Sequence, residues 1–192
     1  MSKKRLIRAY KGETRKYEIA CILSQTLSQD AAKNKMEELK AIATSLGASV
    51  ENVALSNLKS FAYAINSTNN KKGYYGCLYL NIKGEDLAEL IRKFSIQDDV
   101  LRTLALLADP TKQSHGVFAP NYEDETYKAR KKVIAYDDPN TLIKFLGERG
   151  KIEPRKQSLG RNVPAGLALR QRLVSKAIKR SRFLSLLPYI EE

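Results

Sequence analysis

The chain has no tryptophan, a single histidine (His115) and only two cysteines, Cys21 and Cys77. Each scarcity excludes something. Acid–base catalysis by a histidine needs a positioned partner, whereas His115 stands alone in an irregular stretch with Pro110, Gly116 and Pro120. One histidine and two distant cysteines cannot assemble the usual zinc ligand sets. Both cysteines lie in apolar, strand-like runs, so buried thiols in a reducing compartment are expected rather than a disulfide. No apolar run approaches the roughly 18 residues of a membrane span. The basic leader Lys3, Lys4, Arg5 and Arg8 lacks the apolar core of a secretory signal, so a cytoplasmic location is expected, with a short organellar presequence as the lesser alternative. There is no Walker loop and no dinucleotide fingerprint. The carboxylate pairs Asp98-Asp99 and Asp137-Asp138 sit at element boundaries, where turns and caps account for them. The expectation is a protein without metal, cofactor, small-molecule substrate or catalytic activity.

Positive charge is what the chain has in excess. Across 192 residues there are 34 Lys and Arg against 21 Asp and Glu, a net charge of +13. Such an imbalance implies a polyanionic partner, a nucleic acid or an anionic membrane surface. The excess concentrates late: from Phe145 to Arg182 only Glu148 and Glu153 oppose eleven cations. With 43% apolar residues, the chain can still build a packed core.

Periodicity divides the chain in two. Arg15–Leu23 is rich in β-formers and reads as a strand. Ser28 is placed to cap a helix with Asp30 in its first turn; Met36, Leu39, Ala43 and Leu46 recur at helical spacing, and Gly47 ends it. Val53–Ile65 and Tyr74–Ile82 read as a hairpin around the polar loop Asn66–Gly73. Glu85 and Asp86 open a second helix with Leu87, Leu90, Ile91 and Phe94 on one face, and Val100–Leu107 is a fourth strand. The order β-α-β-β-α-β predicts a ferredoxin-like domain, an α+β unit with a four-stranded antiparallel sheet and both helices on one face. It is assigned residues 1–107. Residues 108–135 show no sustained period and read as a linker or extended arm.

Residues 136–192 read as a small, basic, all-α domain. Asp138 caps a helix with Pro139 at its first position; Leu142, Phe145 and Leu146 form its stripe, and Gly150 stops it. A basic turn leads to a long helix over about Ala165–Ser185. At 100° per residue, Arg172, Lys176, Lys179, Arg180 and Arg182 fall on one arc of that helix. Leu167, Leu173, Val174, Ala177, Ile178, Ser181, Leu184 and Ser185 fall on the other. Ordinary surfaces mix charges of both signs, and no acid interrupts this arc. Arg149, Lys151, Arg155, Lys156 and Arg161 extend the patch through the turn. Arginine dominates, which favours forked phosphate contacts. These ten cations are the expected nucleic-acid-binding residues.

At these residues a resemblance enters. Phe145-Leu-Gly-Glu-Arg-Gly-Lys-Ile-Glu-Pro-Arg-Lys156 resembles the FLxERGKIxPRR stretch of bacterial small ribosomal subunit protein eighteen. Gln171-Arg172 and Ala177-Ile-Lys-Arg-Ser-Arg-Phe-Leu-Ser-Leu-Leu-Pro-Tyr189 are similar to that family's QRxLxxAIKRARxLxLLPY ending. Gln157-Ser158-Leu159-Gly160 replaces its basic-Thr-Gly turn. The N-terminal half looks like small ribosomal subunit protein six, through Arg15-Lys-Tyr-Glu18, Phe61-Ala-Tyr-Ala-Ile65 in place of LAYPI, Gly73-Tyr-Tyr75 and Asp99-Val-Leu-Arg102. The resemblance implies a structural constituent of the small ribosomal subunit, bound to the central domain of its RNA beside neighbouring ribosomal proteins. The two families are partners there, so a chain resembling both implies a tethered pair, with Phe61, Tyr63, Tyr75 and Tyr79 at the contact between its halves.

Two other readings compete. Lys72-Gly73-Tyr74-Tyr75-Gly76-Cys77-Leu78-Tyr79 partly resembles the first motif of RNA-recognition domains, whose sheet aromatics stack on bases. A free-standing RNA-binding or RNA-chaperone module using Tyr74, Tyr75 and Tyr79 is therefore the alternative. The spacing departs after Tyr74, which favours sheet packing. A membrane-surface role is disfavoured, because the apolar arc of the long helix lacks tryptophan and bulky aromatics.

Overall fold

Strand β1 (Thr14–Ser24) alternates its side chains between two apolar environments, which is why it reads as an almost unbroken hydrophobic run. Ile19, Cys21 and Leu23 enter one core, while Ala20 and Ile22 enter a second on the opposite face. In the computed structural model, which describes residues 12–65, 70–108, 118, 135–147, 149–154 and 167–190, β1 lies at the centre of a wholly antiparallel sheet. It pairs with β4 (Asn70–Lys83) from Thr14 opposite Lys83 to Ser24 opposite Gly73, and on its other side with β5 (Val100–Leu107). β4 is split between the cores in the same way, with Tyr74, Leu78, Leu80 and Ile82 on one face and Tyr75, Cys77 and Tyr79 on the other.

Helix α1 (Gln29–Ser45) begins where expected: the Ser28 hydroxyl accepts the Ala31 N–H at 3.2 Å, and Asp30 lies in the first turn. Ala32, Met36, Leu39 and Ala43 are buried, and Gly47 takes a φ of +78° just beyond the end. Helix α2 (Asp86–Ser95) buries Leu90 and Phe94. Both helices pack on the Ile19–Cys21–Leu23 face and close the first core. Each fully buried aliphatic side chain there contributes roughly 1.5–3 kcal/mol.

The sheet has five strands where four were expected. The stretch read as one strand over Val53–Ile65 is two: β2 (Ser49–Leu55) pairs with the second half of β4, and β3 (Lys59–Ile65) with its start. Ser56 makes the break. Its N–H donates to Tyr75 O at 2.9 Å, its hydroxyl accepts Tyr75 N–H at 3.0 Å and donates to Asn57 O at 2.8 Å. A buried side chain that satisfies the neighbouring backbone in this way lets the chain bend out of the ladder. Gly73 permits β3 to cross closely, since a Cβ there would meet Leu23 O and the Phe61 ring at 2.5 Å.

The helix expected from Asp138 to Gly150 is a single short turn, α3 (Pro139–Ile143). The Asp138 carboxylate accepts the Thr141 hydroxyl at 2.6 Å and makes no backbone cap. The chain then folds into a tight hairpin: Gly147 N–H donates to Lys151 O at 2.8 Å, and Glu153 N–H to Phe145 O at 3.0 Å. Gly147 and Gly150, the latter at φ +68°, end the helical period early. The last helix, α4, spans Leu167–Phe183. No described helix is long and apolar enough to cross a membrane.

Candidate nucleic-acid interface

α4 is placed by its buried stripe. Val174, Ala177, Ile178 and Ser181 follow the helical period, and with Leu184 and Leu187 beyond the helix end they enter the second core. That core is the sheet face left bare by α1 and α2: Ala20, Ile22, Ile65, Tyr75, Cys77 and Tyr79, joined by Phe118, Tyr136 and Leu142.

A helix leaves its last carbonyls without intrahelical donors. Here the end of α4 closes on itself in part, with Leu186 N–H donating to Ser181 O and Ser185 N–H to Arg182 O, both at 3.0 Å. This is a Schellman pattern, with Ser185 at φ 54° in the left-handed position that glycine normally fills. The remaining capacity is met from the sheet. Tyr63 OH donates to Arg182 O at 2.6 Å, Arg102 Nη1 to Phe183 O at 2.5 Å, and Tyr75 OH to Leu184 O at 3.0 Å. Ala62 N–H donates to Ser185 O at 2.8 Å, while the Ser185 hydroxyl donates to Tyr63 O at 2.6 Å. Arg102 also donates to Tyr63 OH at 2.5 Å and lies over the Tyr63 and Phe183 rings. A cation at a helix C-terminus complements the helix dipole. Strain at the Ser185 backbone is thereby offset by hydrogen bonds that only this docked position supplies.

Of the four residues expected at the contact between halves, Tyr63 and Tyr75 bond to the end of α4, while Phe61 and Tyr79 pack in or against the second core. Phe61 stands edge-on to Tyr75 at 5.7 Å, Tyr75 edge-on to Phe118 at 6.4 Å, and Tyr63 edge-on to Tyr189 at 5.5 Å. Tyr79 is 9% exposed; burial, reinforced by Cys77, Glu18 and Asp137, pushes its phenol far above its ordinary value. Burial does the same to Tyr75 and, with Glu18 next in weight, to Tyr136, whose hydroxyl donates to the Glu18 carboxylate. A stacking platform of Tyr74, Tyr75 and Tyr79 is not available. All three are buried, and Tyr74 points into the opposite core from the other two.

Of the cations singled out in the sequence, Arg172, Lys176, Lys179 and Arg180 are exposed along α4, and Arg149 and Lys151 are exposed on the hairpin. Gln171 Nε2 donates to Glu153 O at 2.7 Å and so holds that hairpin beside α4. Arg155, Lys156 and Arg161 lie outside the described residues. Arg182 is a correction. It is 9% exposed; its guanidinium donates to Gly150 O and, at 3.0 Å, to Pro188 O, and lies over the Tyr189 ring at 5.5 Å. It belongs to the packed side, because it stands at the edge of the cation arc where two backbone carbonyls and a ring meet it. Leu173, placed on the packed arc by its spacing, is instead 50% exposed.

Several cations of the sheet half face carboxylates: Lys33 meets Asp30 at 3.2 Å, Lys40 meets Glu37 at 3.2 Å, and Lys93 meets Glu89 at 3.4 Å, while the exposed Lys71, Lys72, Lys83 and Arg92 have no ion pair among the described residues. Among the described residues, none of the six exposed cations on α4 and its hairpin has a carboxylate partner. Sequence reasoning missed Arg102 and Phe118, both essential to this arrangement. Phe118 lies in the stretch read as linker and carried no periodic signal, while Arg102 sits on a strand where its reach to a helix end is invisible.

Residues 16–106 match the family model of ribosomal protein S6, and residues 130–187 that of ribosomal protein S18. Small ribosomal subunit protein bS6 of Chlamydia trachomatis serovar L2 is 33% identical over 97 residues, which cover 50% of this chain and 85% of that protein. Small ribosomal subunit protein bS18 of Cytophaga hutchinsonii is 47% identical over 60 residues, 31% of this chain and 64% of that protein. The crystal structure of 30S ribosomal protein S6 from Thermotoga maritima aligns with a TM-score of 0.46 at 22% identity, covering 50% of this chain and 89% of that one.

Proposed function

We propose that this chain, which belongs to the small ribosomal subunit protein bS6 family through its first half and carries a segment matching ribosomal protein S18 in its second, binds the central domain of small-subunit ribosomal RNA through α4 and the hairpin beside it. Its families make it a structural protein of the small ribosomal subunit. Within that role the chain works as a tethered pair in the cytoplasmic ribosome: a sheet domain over 1–107, a connecting arm over 108–135 and a basic helical domain over 136–192. It stabilises folded RNA and neighbouring proteins rather than catalysing a reaction.

The observation that carries the RNA reading is the set of six exposed cations, Arg149, Lys151, Arg172, Lys176, Lys179 and Arg180, without a carboxylate among the described residues to neutralise them. Phosphates satisfy such a row, and Arg presents forked donors to them. Arg155, Lys156 and Arg161 extend the same proposal on sequence alone. What supports the tethered reading is the second core, which mixes sheet residues with Val174, Ile178, Leu184 and Leu187. A covalent arm then replaces a bimolecular encounter with an effective concentration on the order of millimolar.

Reversing the charge of Arg172, Lys176, Lys179 and Arg180 together tests the function. The variant is expected to fold, since all four are exposed, and to fail to enter small subunits in cells. Normal incorporation would refute the interface. If about six to ten phosphates are neutralised, the affinity of the unaltered chain falls about 10³- to 10⁵-fold between roughly 50 and 200 mM salt.

A further inference from the structure

One aromatic side chain interrupts the cation stripe of α4. Arg172, Lys176, Lys179 and Phe183 follow one another at spacings of four, three and four, so they share one helix face. Arg180 lies three residues before Phe183 on the same side. Phe183 is 40% exposed there, although the second core, which takes in Leu184 next to it, lies against the helix's other side.

Its ring is also held in place. The Arg102 guanidinium lies over it at 5.5 Å from the centroid, while Arg102 Nη1 is anchored to the carbonyl of the same residue at 2.5 Å. Tyr63 also steadies Arg102, with the guanidinium 5.3 Å from that ring. With one part of the ring against a guanidinium, its exposure falls on the remainder, level with the cations. A flat apolar surface held rigid inside a row of phosphate-seeking groups fits a nucleobase, which offers a π-face whatever its identity.

We propose that Phe183 stacks on an unpaired base of the bound RNA, with Arg102 as the positioning residue behind it. This rests on the RNA-binding reading of α4 and adds what that reading lacks, recognition of a base splayed out of the helix rather than of phosphates alone. Salt separates the two contributions. Phosphate contacts release counterions and steepen the salt dependence, whereas stacking neutralises nothing.

The absence of tryptophan makes a direct test available. In the full chain, Phe183→Trp creates a sole indole, to be titrated with a transcript of the small-subunit RNA central domain. Its emission is expected to be quenched at saturation, as stacking on a base requires. Phe183→Ala and Phe183→Leu are each expected to bind that transcript about tenfold more weakly, with an unchanged salt slope. Phe183→Tyr keeps the ring and is expected to bind normally, which separates stacking from any loss of folding in the smaller variants. If the unaltered chain binds but its Ala variant binds equally well, or the indole stays unquenched, Phe183 is covered by something other than a base and the inference fails alone. If the unaltered chain does not bind the transcript, the function fails and takes the inference with it.

Discussion

At Arg182 a guanidinium connects three separate pieces of backbone: α4, the hairpin at Gly150 and the terminal turn at Pro188. Removing it would leave buried carbonyls without donors, which costs about 1–3 kcal/mol for each group left unsatisfied. Arg182→Met is therefore expected to lower the unfolding free energy by about 2–4 kcal/mol in urea titrations. The salt slope of RNA binding should not move, whereas loss of a phosphate contact would reduce that slope by about one. The helical wheel could not separate Arg182 from Arg180, because both are cations near the same arc. What distinguishes them is a carbonyl 32 residues earlier in the chain. The cysteines were easier to read. Cys21 and Cys77 face opposite cores and form no disulfide, and burial pushes the Cys21 thiol up to about 12. A thiol reacts as its thiolate, so neither should be alkylated by iodoacetamide at pH 8 until denaturant is added; rapid native labelling of either would contradict the two-core arrangement.

At the scale of elements, the end of α4 depends on donors that the helix does not contain. Tyr63→Phe and Tyr75→Phe each remove a hydroxyl from a carbonyl at its C-terminal end, Arg182 O and Leu184 O, and each is expected to cost about 1 kcal/mol or more. Tyr63 should couple to Arg102 in a double-mutant cycle, since the two share a hydrogen bond; strict additivity would deny the network. Elements governed by local signals were legible in advance. Ser28 and Gly47 mark α1 because caps are chosen by backbone geometry within a few residues, and β1 shows as a run of β-formers even though burial on both faces leaves it no polar alternation. Non-local causes were not legible. Ser56 breaks a strand through its bonds to Tyr75, and α3 stops at Ile143 because the hairpin behind it, with Leu146 paired to Ile152, takes over the backbone bonding. In the interface, the cation row followed from spacing alone, while the ring at Phe183 required knowing where Arg102 reaches.

For the whole molecule, the second core concentrates groups that must stay protonated. Burial raises Tyr75, Tyr79 and Tyr136 there above the ordinary phenol value of 10.0, as it raises Cys21 in the first core above 9.0. Raised folded values mean that the unfolded chain releases its protons first. Their contribution to stability is therefore complete below the ordinary values and declines as pH rises past about 9 to 10. Unfolding free energy measured from pH 8 to 11 should fall steadily over the upper part of that range, and Tyr79→Phe should make the fall shallower; a flat profile would mean that water already reaches these hydroxyls. The same core has a consequence for synthesis. The sheet is complete at Leu107, but the residues that cover its second face extend to Leu187. At roughly 5–20 residues per second, those eighty residues take about 4–16 s to polymerise, during which Ile22, Tyr75 and Cys77 form an oily, uncovered side. A nascent chain stalled in that interval is a natural client for chaperones, and truncation before α4 should yield a protein that clumps rather than a soluble half.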